Sequence, residues 1–257
     1  MKFSCAAVFL AAILLPMPAS AEYNTVTGRD EPVYMSTEQE VAMGDSIAKQ
    51  IEKAYKLVED KHMQERVELI GQRLAKVCDR KELIYHFNVL DMDDINAVSL
   101  PGGWIYVFKG LVEKCKNDDE LAGVIAHEIG HICARHAVKQ QQAGSIMNIA
   151  MIAAALVGRG NAAPATNLAL TSLMAAYSRE DEFEADRRAV IYTKAAGYDP
   201  DALISFMKTM KEAQKFDIRP YSYFRSHPYE GERIGNIHRQ ITGTRDFNGW
   251  INKPIDR

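Results

Sequence analysis

One short run stands apart by its chemistry: His127-Glu128-Ile129-Gly130-His131. On an α-helix, residues four apart lie one above the other on the same face. Two imidazoles at that spacing can grip one tetrahedral Zn²⁺ from a single side. Glu128, one step on from His127, can reach a water on that ion without binding the ion itself. Zinc lowers the pKa of such a water toward neutrality, and the carboxylate is placed to take its proton. With 7 histidines in 257 residues, a His-Glu-x-x-His run arises by chance in about one such sequence in eighty. The plain alternative is two surface histidines on an ordinary helix. Gly130 argues against it, because a mid-helix glycine costs ~1 kcal/mol relative to alanine and asks for a reason. Close approach of another backbone or side chain is one.

A catalytic zinc needs a third protein ligand and one open position. The stretch after Ser178 offers Glu180, Glu182, Glu184 and Asp186 beside Arg179, Arg187 and Arg188. Most of these charges read as a solvated, mutually paired face. Glu182 and Asp186 are nevertheless four apart on one face. One carboxylate could bind zinc while the other fixes a ligand imidazole from behind. Chemistry alone does not separate Glu182 from Glu184.

The elements that must position these groups are mostly helices. Ser36 and Gln39 form a capping box, and the helix it opens carries Ile47, Ala48 and Ile51 along one side. A second helix is expected from about Met63 to Cys78. Between residues 83 and 108 the period changes to that of strands, with Pro101-Gly102-Gly103 as a turn whose glycines can take positive φ. Three strands there suggest a small antiparallel sheet. Asn117 and Glu120 cap the helix that carries the His-Glu-x-x-His run, and its pattern continues to about Gln142. Residues 143–158 are apolar and Ala-rich, too short and too interrupted to span a bilayer. They read as a buried helix, with a mobile or membrane-touching lid as the alternative. A long helix from about Thr166 ends before Gly197, a left-handed C-cap with Pro200 following. The tail is rich in Tyr, Arg and His, with a helix expected near Glu230–Gln240.

At the N-terminus, Lys2, the apolar run Phe3–Leu15 and the close at Ala19-Ser20-Ala21 are the parts of a cleavable signal peptide. Residues 22–257 then form one domain in a periplasmic or secreted setting. Charge is nearly balanced, 31 Lys and Arg against 34 Asp and Glu, so no basic face offers itself to nucleic acid. Beyond the leader, Cys78, Cys115 and Cys133 form an odd set that allows one disulfide and one free thiol. Cys133 reads as a small buried hydrophobe.

Four runs carry a likeness: NAVSLPGGWIYVFKGL from 96, DELAGVIAHEIGHICARH from 119, EFEAD from 182 and SHPYEGERI from 226, with the weaker STEQEVAMG from 36. Together they resemble the M48 family of zinc metallopeptidases, in its soluble, signal-bearing bacterial branch. The resemblance implies a zincin-like α+β fold, mainly helical with a small antiparallel β-sheet. It implies one Zn²⁺ per chain on His127, His131 and Glu182, with Asp186 behind a ligand and Glu128 as general base. His227, in the family's His-Pro motif ahead of Arg233, becomes a candidate active-site histidine. It would either stabilise the oxyanion or occupy the open zinc position at rest. His136, five residues beyond His131, is expected to point elsewhere and to be structural. The expected activity is zinc-dependent hydrolysis of unfolded or misassembled polypeptides in the periplasm or cell envelope. Peripheral contact with membrane or envelope proteins goes with it, and nucleic acid does not. The alternative is a latent, zinc-dependent binding or chaperone-like module with a closed site.

Overall fold

The computed structural model describes residues 20–24, 29–33, 35–142, 177–214 and 222–243. Residues 1–19 of the expected leader, the apolar stretch at 143–158 and the expected helix start near Thr166 lie outside the described residues. At the start of the described chain, β1 (Ser20–Asn24) and β2 (Arg29–Val33) pair as an antiparallel ribbon.

Helix α1 (Thr37–Ala54) opens on the Ser36–Gln39 capping box and buries Ile47, Ala48 and Ile51. Helix α2 (Lys61–Ala75) starts earlier than its apolar pattern, because Asp60 accepts from the His62 and Met63 N–H groups and satisfies the exposed first turn. Strands β3 (His86–Leu90), β4 (Ala97–Leu100) and β5 (Trp104–Phe108) form one sheet in the order β3-β5-β4. The expected antiparallel sheet is therefore mixed. The β4–β5 hairpin is antiparallel through the turn at Gly102 (φ 77°) and Gly103 (φ 118°), but β5 also pairs in parallel with β3. Three successive strands alternate in direction. Once β5 sits in the centre, its outer neighbours must run oppositely to each other.

Alternation along the strands gives the sheet two packed faces. Val98, Leu100, Tyr106 and Phe108 face α1 through Ile47, Ala48 and Ile51. Ala97, Ile105 and Val107 join the larger core with α2 and with α4 (Asp118–Cys133). The short α3 (Lys109–Lys114) leads into α4, whose N-cap Asn117 accepts from the Glu120 N–H as its sequence suggests.

The pattern expected to run on to Gln142 breaks after Cys133. Arg135 takes φ 55°, and α5 (His136–Gln142) sets off in a new direction. Arginine favours helices, so no local signal marks this break. A tertiary one does: Arg135 Nε lies 3.0 Å from Glu40 Oε2, and its Nη2 donates to the Met35 carbonyl.

On the far side of α4 pack α6 (Arg179–Ala196), capped by Ser178 with Asp181 and closed by left-handed Gly197, and α7 (Ala202–Gln214). Helices α8 (Ser222–Ser226) and α9 (Glu230–Thr242) complete the described chain. Cys78, Cys115 and Cys133 are all buried thiols without a disulfide. Cys78 and Cys133 both touch the Tyr85 hydroxyl, at 3.3 and 3.5 Å. Among the described residues no helix is long and apolar enough to cross a membrane.

Candidate metal centre

The reason for Gly130 is the crossing of α4 and α6. A Cβ at position 130 would lie 2.8 Å from the Ala185 carbonyl oxygen and 3.1 Å from its Cα. The two backbones approach that closely because there is no side chain between them. Ala185 stands at the contact with Glu182 and Asp186 one turn apart, so Glu182 faces His127 and His131 and Asp186 faces His127.

Four donor atoms converge, one each from His127, His131, Glu182 and His227, all within 4.8 Å of one another and all on buried residues. His131 Nε2 lies 3.0 Å from His127 Nε2. His227 Nδ1 lies 3.2 Å from His127 Nε2 and 3.1 Å from Glu182 Oε1. Glu182 Oε1 is 3.5 Å from His131 Nε2. Bonds of about 2.0–2.1 Å to a tetrahedral ion put its ligands about 3.3–3.4 Å apart. These four separations, from 3.0 to 3.5 Å, are close to the edges of such a tetrahedron. Glu182 Oε2 is buried and accepts no hydrogen bond, although Arg233 Nη1 stands 2.7 Å from it. Imidazole nitrogens converging beside a buried carboxylate fit a cation.

Behind these donors lies a second layer of contacts. Asp186 Oδ1 is 2.9 Å from His127 Nδ1, which leaves His127 Nε2 for the cluster. The fully buried Arg233 donates to both Asp186 oxygens, at 2.8 and 2.7 Å, and to the His227 carbonyl at 3.2 Å. Ser99 Oγ donates to Glu128 Oε2 at 2.8 Å. Glu128 Oε1 keeps no hydrogen-bond partner and faces His227 Nε2 at 3.3 Å. Tyr177 stacks on His131 with ring centroids 4.0 Å apart.

Electrostatics follow from burial and this crowding. Burial opposes ionisation of Glu182, yet Arg233, then His227, holds its carboxyl well below the usual range. Asp186 is lowered in the same way, against burial, chiefly by Arg233. Burial and Arg233 push His127 down, but hydrogen bonds to Asp186 and Glu182 outweigh them and raise it to about 9. Burial, then the neighbouring His127, drives His131 well below its ordinary value.

The structure thus brings together every expected site residue: His127, Glu128, His131, Glu182, Asp186 and His227. Two expectations need correction. The acidic face of α6 is not solvated, since Glu182, Glu184, Asp186 and Arg188 are buried, and Arg188 Nη2 donates to Glu184 at 3.2 Å. His136 does not point elsewhere, because its Nδ1 meets His131 Nδ1 at 2.8 Å. Ser99, Tyr177 and the clamp by Arg233 were not anticipated. Only Ser99 carried a signal, the strand alternation that turns it with Ala97 toward α4.

The model of peptidase family M48 matches residues 61–241, most of the chain and all of this cluster. The chain belongs to peptidase family M48. It is 28% identical over 222 residues to the beta-barrel assembly-enhancing protease of Escherichia coli (strain K12), covering 82% of this chain and 45% of that protein. It is 30% identical over 172 residues to mitochondrial metalloendopeptidase OMA1 of Schizosaccharomyces pombe, covering 66% and 51%. Metalloprotease YcaL of Escherichia coli (strain K12) is 29% identical over 184 residues, covering 66% and 70%. The chain spans about half the length of the first two of these relatives. The M48 family is metal-dependent, and its zincin-like α+β fold is the one seen here. Among the described residues the His127–His131–Glu182–His227 cluster is where donors of that kind converge.

Proposed function

We propose that this M48 member is a zinc-dependent endopeptidase that cuts unfolded or misassembled proteins of the periplasm or cell envelope. The leader at residues 1–21 would carry it there. The name of its Escherichia coli relative, a beta-barrel assembly-enhancing protease, supports an envelope setting and contact with envelope proteins. The observation that carries the chemistry is the pairing of four converging donors with a buried Glu128 oxygen that makes no hydrogen bond beside them.

His127, His131 and Glu182 would hold the zinc, which when bound polarises a peptide carbonyl and acidifies a neighbouring water. Ser99 occupies Glu128 Oε2, so Oε1 is the atom left to take a proton and pass it to the leaving amine. Asp186 fixes the His127 ring with its Nε2 turned inward. Strand β4 is an edge of its sheet and carries Ser99, so an extended substrate can add along it through main-chain hydrogen bonds. Such binding reads backbone more than side chains, which suits unfolded substrates.

His227 is the resting cap in this reading. Its Nδ1 takes the fourth corner of the donor set and its Nε2 faces Glu128 Oε1 at 3.3 Å, where water must enter. The same contact favours the second reading, a latent zinc-binding module that does not open. Casein digestion with zinc present separates the two. The wild type should digest casein, and Glu128→Gln should keep zinc and fold while losing about 10²–10⁴-fold of the rate. Zinc-loaded wild type no faster than Glu128→Gln would leave the latent module standing.

A further inference from the structure

One buried histidine is used by nothing above. His136 opens α5 immediately after the left-handed Arg135, is fully buried, and places its Nδ1 2.8 Å from Nδ1 of His131. The left-handed region is rare for a side chain as bulky as arginine, and such outliers persist where the surroundings over-determine them. Here Glu40 and the Met35 carbonyl hold the Arg135 side chain, and the consequence of the turn is that His136 faces back toward α4.

We propose that His136 is a positioning residue that fixes the tautomer and ring plane of His131 for metal binding. This rests on the metal-site reading above. His131 turns Nε2 into the donor cluster, 3.0 Å from His127 Nε2 and 3.5 Å from Glu182 Oε1. A ligating Nε2 carries no proton, so in the neutral ring the proton sits on Nδ1. That N–H donates to His136 Nδ1, which must then be the bare nitrogen of its own ring. The His136 proton is thereby assigned to Nε2, which faces Asp181 Oδ1 at 3.4 Å and Glu184 Oε2 at 3.6 Å. Every ring nitrogen along this line has one consistent state, from the carboxylates through His136 to His131. Metal-ligating histidines usually hand the other ring N–H to a carboxylate or carbonyl. In this chain a second histidine, with carboxylates beside its far nitrogen, takes that place.

Zinc affinity, read by competition with a chromophoric chelator, tests this in His136→Asn, His136→Gln and His136→Leu. An asparagine amide oxygen can stand at the Nδ1 place, whereas a glutamine amide reaches the Nε2 place and leucine offers no acceptor. Asn should bind zinc within about threefold of wild type, and Gln and Leu about 10–100-fold more weakly, the loss typical of such partners. Wild-type affinity in Leu or Gln, or equal weakening in all three, overturns the proposal. If Leu fails to fold, Asn against Gln decides, since both are polar amides differing by one methylene. His127→Ala is measured alongside. Full zinc binding by His127→Ala would sink the metal-site reading itself, and its loss with an unaffected His136→Gln would sink only this inference.

Discussion

Arg233→Met should destabilise the metal-free protein by about 3–5 kcal/mol, the usual cost of removing one partner from a buried ion pair. Arg233 is fully buried and holds Asp186 through two hydrogen bonds of 2.7 and 2.8 Å, with Glu182 Oε2 2.7 Å from its Nη1. Methionine fills similar space and leaves two buried carboxylates without their shared guanidinium. The lower half of the range is expected, because His127, raised to about 9, is protonated at pH 7 without metal and neutralises part of the charge. The pH dependence supplies a sharper check. In the wild type both carboxyls are held below their ordinary values, against burial, by Arg233. A depressed carboxyl contributes stability that is present above its unfolded pKa, about 3.9–4.3, and is lost as pH falls through the folded value. In the variant, burial acts without that counter-charge, so stability drops as pH rises above about 4. The gap between the proteins should be widest near pH 7 and close toward pH 4. Urea unfolding of chelator-treated protein at the two pH values reads it directly. A gap under about 1 kcal/mol at pH 7 would refute the view that Arg233 neutralises the site, since breaking a buried pair costs several times that. So would a gap that does not change with pH.

Three further outcomes follow from the same geometry. Glu182→Ala should lose most of its zinc while Glu184→Ala loses far less, because Glu182 Oε1 faces the imidazoles and Glu184 pairs with Arg188. Metal analysis giving the reverse order would exchange their roles. His227→Ala, fully loaded with zinc, should digest an unstructured substrate faster than wild type, because the fourth position is freed. A fall of ~10²–10³-fold in kcat would make His227 an oxyanion donor instead, and an unchanged rate would remove both roles. Gly130→Ala should cost about 1–3 kcal/mol by overpacking and weaken zinc binding, since its Cβ meets the Ala185 backbone at 2.8 Å. Thermal unfolding and chelator competition measure the two effects, and wild-type values in both would show that the helices part freely.

Local chemistry made much of this molecule legible before its structure. The Ser36 and Asn117 caps, the Pro101-Gly102-Gly103 turn and the left-handed Gly197 each act within a few residues, and each stands where its side chains require. The break at Arg135 was not legible, because its cause is Glu40, far away in the chain and folded against it. The parallel β3–β5 pair was hidden for a related reason: strand patterns give faces, whereas strand order depends on which neighbour the hairpin docks against.

The acidic run on α6 marks the limit most clearly. Glu, Asp and Arg on one helix ordinarily mean a solvated face, and spacing alone leaves Glu182 and Glu184 equivalent as ligands. Two distant groups separate them. Gly130 admits the backbone at Ala185, which turns Glu182 and Asp186, one turn apart, toward α4. Arg233 then supplies the charge that lets both carboxylates stay ionised without water. Glu184, two residues from either, falls on another side of the helix, toward Arg188 and His136. The ligand choice is thus made by helix phase relative to one glycine and by one arginine 47 residues beyond Asp186. Neither is visible from the acidic run itself.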